Sequence, residues 1–138
     1  MRETPDVLRA SRELTALAQA PDLLHRLRLL DALVAGLPPD EAVRVLGGLL
    51  DSELPGDFFE AESLRLALLG KVADHRGGQA DGILLERLAP ARPRPERLAA
   101  VDALRARDAA RDTLASIAAG DHDVVVQQRA RWALQRTP

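Results

Sequence analysis

The segment RLRLLDAL at residues 26–33 recurs as RLAAVDAL at residues 97–104, and the two segments match at five of eight positions. Apolar residues three and four positions apart in each segment predict one buried face of a helix. A match of this kind within one chain indicates an internal repeat, which decides how the rest of the sequence is interpreted.

The repeat extends over nearly the whole chain. Its closing small-large dipeptide occurs four times, at spacings of 35, 36 and 30 residues: Ala32-Leu33, Ala67-Leu68, Ala103-Leu104 and Ala133-Leu134. An apolar pair from a preceding helix lies 15 to 21 residues before each alanine: Leu14/Leu17, Leu46/Leu49, Leu85/Leu88 and Leu114/Ile117. The pattern therefore predicts four pairs of helices.

Composition favours the same fold. Leucine (25) and alanine (24) supply over a third of the 138 residues, whereas aromatic residues are 2%. Strong helix formers with few β-branched or aromatic residues predict an all-α chain. Proline and glycine divide it into eight helices, at about 5–19, 22–36, 39–53, 57–75, 79–89, 95–107, 108–119 and 123–136. The aspartates expected to cap helices are Asp40, Asp57, Asp108 and Asp123.

The fourth unit, DHDVVVQQRARWAL at residues 121–134, resembles the HEAT repeat family in its short bacterial form. The resemblance implies an α-solenoid, a superhelix of about four stacked antiparallel helix pairs within a single domain at 1–138. Its units would be about 5–36, 38–75, 79–107 and 108–136. Such repeats often place an arginine six residues before the alanine, where it reaches a turn aspartate. Arg26 and Arg97 fit this ladder, whereas Ala61 and Gln127 do not.

No pattern in the sequence indicates catalysis. The chain has no cysteine, and its three histidines (His25, His75 and His122) lack a second ligand at helical metal-site spacing. The motif DHD at residues 121–123 is a capping turn or, less simply, a metal site. The glycine pairs lack the lysine and spacing of a phosphate loop. We therefore expect a non-enzyme without cofactor or metal.

Trp132, the only tryptophan, lies well off the predicted core stripe Val126/Ala130/Ala133/Leu134 and on the helical face of Arg129 and Arg136. Tryptophan and arginine are enriched among residues that dominate binding energy. The sequence thus suggests a partner-binding patch of Trp132, Arg129 and Arg136, extended by Arg131 and Arg97. The alternative is that Trp132 covers the end of the last repeat. A similar question concerns Phe58 and Phe59, of which we expect one ring to fill the core.

Several functions are compatible with these features. The first is a scaffold, adaptor or regulatory subunit that binds a protein through the second helices and the C-terminal end. Nucleic-acid binding is the alternative, because residues 91–138 carry 9 basic and 6 acidic side chains, whereas residues 1–90 carry 10 and 15. The same asymmetry is compatible with self-association or with chance. The sequence lacks a signal peptide or membrane span, and 18 of its 19 basic residues are arginine, so we expect a cytoplasmic bacterial protein.

Overall fold

The computed structural model describes residues 5–135, and the side chains from residue 12 onward. These residues form eight α-helices and no strand, which confirms the all-α prediction. The helices are α1 (Pro5–Gln19), α2 (Leu23–Ala35), α3 (Pro39–Leu50), α4 (Phe58–Ala73), α5 (Gly78–Glu86), α6 (Arg94–Leu104), α7 (Arg111–Gly120) and α8 (Val124–Leu134). A 3-10 turn at Asp108–Ala110 precedes α7. In this part of the chain, no helix has the length and apolar character needed to cross a membrane.

Aspartates cap three of the helices that come second in their predicted pairs, α2, α4 and α8. Asp22, Asp57 and Asp123 have extended backbones, and their carboxylates accept hydrogen bonds from N–H groups of the first turn of α2, α4 and α8. Each bond satisfies a donor that the helix itself leaves unpaired. The capping prediction is thus confirmed for Asp57 and Asp123. It is wrong for Asp40, which lies inside the first turn of α3 after Pro38 and Pro39.

Asp108 also differs from its predicted position. It opens the 3-10 turn before α7, and the residue at the start of α7 itself, Ala110, provides no side-chain cap. The start of α7 is therefore set by the preceding 3-10 turn.

The described residues belong to two compact units, the first ending at His75 and the second beginning at Arg76. In the first unit, α1 packs against α3, and α4 packs against both α2 and α3. Its core is mostly leucine, and the buried side chains include Leu17, Leu30, Leu46, Leu49, Leu64 and Leu68. Each such side chain contributes about 2 kcal/mol relative to an exposed position.

In the second unit, α7 and α8 form the most extensive helix contact, and α6 packs along α8 and against α5. The predicted stripe of α8 is buried at Val126, Ala130 and Ala133. Alanines at this contact let α8 approach its neighbours closely. The face of α8 that carries Trp132 is left at the surface.

A buried arginine joins helices in the same way in both units. Arg26 Nε donates to Leu17 O and Arg97 Nε donates to Leu88 O, each at 3.0 Å and each across nine residues. Arg26 Nη1 also binds Glu60 Oε2 at 2.6 Å, at the start of α4. These bonds connect one helix pair to the next within the first unit.

In the second unit, Arg97 makes the corresponding connection. Its two terminal nitrogens bind Asp121 Oδ2 and Oδ1 at 2.9 and 2.6 Å. Asp121 lies in the turn before α8. Arg97 therefore makes the arginine–aspartate contact that the repeat pattern leads us to expect, whereas Arg26 makes it with a glutamate.

Candidate functional site

Trp132 lies on the surface of the second unit, with 44% of the residue exposed. The guanidinium of Arg105 covers its ring, with Cζ 4.0 Å from the ring centroid. Arg129, one turn earlier on α8, has its Cζ 5.6 Å from the same centroid. Arginine over an indole ring is attracted by the ring's electron-rich face, typically by about 0.5–2 kcal/mol.

Arg129 is fixed by a carboxylate on the neighbouring second helix. Its Nη1 lies 2.9 Å from Asp102 Oδ1 and 3.0 Å from Asp102 Oδ2, which links α8 to α6. Asp31 holds the equivalent position on α2, and it pairs with Lys71 of α4. We call the surface group of Trp132, Arg105, Arg129 and Asp102 the tryptophan patch.

The turn that follows α6 determines where Arg105 points. The backbone becomes extended at Arg105, and Ala106 adopts a left-handed conformation with φ +70°. The next residue, Arg107, is buried, and its Nε and Nη1 bind Ala103 O at 3.1 Å and Asp81 Oδ1 at 2.7 Å. This turn is therefore anchored to α5 and α6, and it holds Arg105 above the indole ring.

The structure brings together only part of the predicted patch. Trp132 and Arg129 lie side by side, but Arg97 is only 2% exposed and is held by Asp121 and Leu88 O. Arg97 therefore does not extend the surface around Trp132, because its guanidinium is used inside the unit. Arg131 is exposed on another side of α8, where its Nε donates to Ala118 O of α7 at 3.0 Å. Arg136 lies outside the described residues.

Arg105 and Asp102 are the members of the patch that sequence reasoning missed, and Arg105 is the one that contacts the ring. Arg105 lies just after Leu104, the last residue of α6. The periodicity of the helix therefore does not indicate which way its side chain points. Only the left-handed turn at Ala106 and the packing of α6 on α8 bring it to Trp132. The one hint in the sequence that arginines gather at this turn is a second arginine two residues later, Arg107.

In the turn at residues 121–123, both aspartates make contacts that stabilise the fold. Asp123 caps α8 and its Oδ2 accepts from Arg94 Nε at 2.8 Å. The hydrogen bonds from Arg97 lower the pKa of Asp121 to about 2. His122 is exposed, with Nδ1 3.8 Å from Asp121 Oδ2. Across residues 12–135, no group of three or more histidine and acidic side chains has the geometry to hold a metal ion.

A second surface feature follows the capping aspartates. The two residues after each cap are apolar and largely at the surface: Leu23-Leu24, Phe58-Phe59 and Val124-Val125. Phe58 and Phe59 are 84% and 73% exposed, so the expectation that one ring fills the core is wrong. The physical reason is their position in the first turn of α4, ahead of the buried stripe that begins at Leu64.

Both units have an open groove in the described part of the chain. The groove of the second unit has a volume of about 450 Å³ and runs between α5 and α7, with Leu88, Ile117, Thr113 and Ser116 in its walls. The Arg97–Asp121 pair forms part of its lining. The groove of the first unit, about 640 Å³, lies between the end of α1 and the loop before α4.

No protein-family model, curated protein or solved structure shows significant similarity to this chain.

Proposed function

We propose that this chain is a non-catalytic interaction module, a HEAT-like α-solenoid that binds a partner protein through the tryptophan patch. The observation that carries the proposal is Trp132, 44% exposed between two arginines on the surface formed by α6 and α8. Aromatic and arginine side chains supply much of the binding energy at protein interfaces, and truncating such an anchor can cost about 2 kcal/mol or more. A cytoplasmic bacterial scaffold, adaptor or regulatory subunit fits this role.

Contacts that recur from one unit to the other support the solenoid. The bonds from Arg26 to Leu17 O and from Arg97 to Leu88 O have the same length and span. Second helices pack side by side, α2 with α4 and α6 with α8, and first helices α1 and α3 do so too. Stacked helix pairs with this kind of neighbour contact present extended surfaces that commonly bind proteins.

The contacts of Trp132 favour a binding role over an end cap. The ring lies against Arg105, at the end of the preceding second helix α6, and beside Arg129, which is itself paired with α6. A residue that covers the open end of a stack would pack over the side of α8 away from α6. Trp132 therefore belongs to a surface shared by two helices, as an interface anchor would.

Ion pairing in the second unit also favours a protein partner over nucleic acid. Arg94, Arg97 and Arg129 each bind an aspartate. A duplex backbone is bound by rows of free cations that replace its counterions. Internal pairing leaves fewer of these arginines available for phosphates.

Affinity capture from a lysate of the source organism, with and without nuclease, tests the proposal. We expect a protein recovered at near-stoichiometric amount that nuclease treatment does not release. Recovery that collapses on nuclease treatment would instead make the chain a nucleic-acid-binding protein. Mass spectrometry of the bound fraction distinguishes the two results.

A further inference from the structure

We propose that the tryptophan patch recognises acidic side chains of a partner protein, with Arg105 as the group that binds their carboxylates. This inference rests on the proposed function and adds the chemistry of the partner. It depends on the orientation of Arg105, on its lack of an acidic neighbour, and on the charge balance of the patch.

Arg105 differs from most arginines of its unit. Six others pair with a carboxylate: Arg87, Arg92, Arg94, Arg97, Arg107 and Arg129. For Arg105, no carboxylate among the described side chains lies within ion-pair distance, and its contact is the face of Trp132. A guanidinium stacked by its face keeps the N–H donors of its edge available, and their fork matches a carboxylate.

Stacking also prepares Arg105 for binding. A free arginine side chain loses rotamer freedom when it binds a ligand, which lowers affinity. Here the anchored turn at Ala106 and Arg107 and the 4.0 Å contact with Trp132 already limit that freedom. A ligand carboxylate therefore meets a guanidinium that is held in place.

The charge balance of the patch favours an acidic ligand. Asp102 is paired with Arg129, so the charge of Arg105 is left over. The uncovered part of Trp132 offers an apolar contact beside the cation. A protein segment that alternates acidic and apolar side chains fits both features.

The test uses two capped octapeptides and the whole chain. One peptide contains aspartate and glutamate with interspersed leucine, and its neutral twin carries asparagine and glutamine instead. Trp132 is the only tryptophan, so its fluorescence reports binding at this patch alone. Anisotropy of a labelled peptide provides the readout for variants, because substitutions of Arg105 alter the tryptophan emission themselves.

We expect the acidic peptide to bind with a dissociation constant below about 1 mM, and the neutral twin at least about tenfold more weakly. Arg105→Gln weakens the acidic peptide by about tenfold, and Arg105→Lys weakens it less because the charge remains without the stacked fork. Arg92→Gln is the matched control, since Arg92 pairs with Glu86 elsewhere on the same unit. Arg92→Gln retains wild-type affinity.

Three results would overturn the proposal: equal binding of the neutral twin, unchanged affinity of both Arg105 variants, or no saturation by about 1 mM acidic peptide. Displacement of the peptide by single-stranded oligothymidylate with a steep salt dependence would assign the patch to nucleic acid. A partner protein captured from lysate by a chain that fails to bind the acidic peptide would leave the proposed function standing and remove only the acidic class.

Discussion

Arg97 and Arg105 lie eight residues apart, yet burial gives them opposite roles. Arg97 is 2% exposed, and each of its guanidinium nitrogens donates a hydrogen bond to Leu88 O or Asp121. Arg105 is half-buried in the turn after α6, where it stacks on Trp132. The sequence-based prediction placed Arg97 in the same patch as Trp132. Only the packing of α6 against its neighbours separates them.

Replacing Arg97 by alanine should strongly destabilise the second unit. Asp121, whose side chain is 6% exposed, would lose its partner, and breaking a buried pair in this way typically costs about 3–5 kcal/mol. Arg94→Ala is the control, because Arg94 also binds a turn aspartate but is 56% exposed, so we expect a loss below about 1 kcal/mol. Urea denaturation of both variants measures the difference, and equal losses would refute the structural role of Arg97.

Asp121 makes stability depend on acid pH. Arg97 lowers the folded-state pKa of Asp121 from 3.8 to about 2, so the unfolded chain binds the proton more tightly. The resulting stability is present above pH 4 and is lost as pH falls from about 4 to about 2.

Comparison of the wild type with Asp121→Asn isolates this contribution. Hydrogen bonds also lower the pKa of Asp22 and Asp123, but both residues remain in the variant. We expect the free energy of unfolding of the wild type to fall more steeply than that of Asp121→Asn over this pH range. Parallel curves in denaturant titrations at several pH values would contradict the assignment.

At the level of helices, the residues at which helices begin were easier to predict than those at which they end. Asp57 and Asp123 cap α4 and α8 as expected, because an aspartate side chain and the first N–H groups are close in sequence. In contrast, α3, α5 and α6 each end three residues before the predicted boundary, at Leu50, Glu86 and Leu104. At α6 the cause is the extended Arg105 and left-handed Ala106, a turn held by tertiary bonds of Arg107.

The turn before α4 supplies a prediction for one glycine. Gly56 has φ +99°, and a Cβ there would lie 2.7 Å from Glu60 Oε2 and 3.0 Å from Arg26 Nη1. Gly56→Ala should therefore disturb the Arg26–Glu60 pair and lower the free energy of unfolding by at least about 1 kcal/mol. Gly70→Ala is the control, since its Cβ would meet no atom within 4 Å and alanine favours a helix. Thermal or chemical unfolding that ranks Gly56→Ala above Gly70→Ala would contradict this prediction.

Over the whole molecule, the sequence predicted the all-α class and the positions of most helices, because apolar periodicity and caps are local signals. The face of α8 that carries Trp132 and Arg129 was predictable for the same reason. Arg105 and the Asp102–Arg129 pair were not, since they depend on how α6 lies against α8. Separation into a unit ending at His75 and a unit beginning at Arg76 likewise has no clear signal beyond Gly77-Gly78.

The decisive measurement compares binding and stability in Trp132→Ala, using the partner recovered by affinity capture. Because Trp132 is 44% exposed, we expect the variant to lose at least about tenfold in affinity but only about 1–2 kcal/mol in the free energy of unfolding, less than the 3–5 kcal/mol or so that truncation of a fully buried tryptophan costs. Phe59→Ala, which removes a 73% exposed ring from the first unit, should retain both affinity and stability. A large drop in melting temperature of Trp132→Ala with unchanged partner affinity would show instead that the tryptophan serves only to cover the last helix pair.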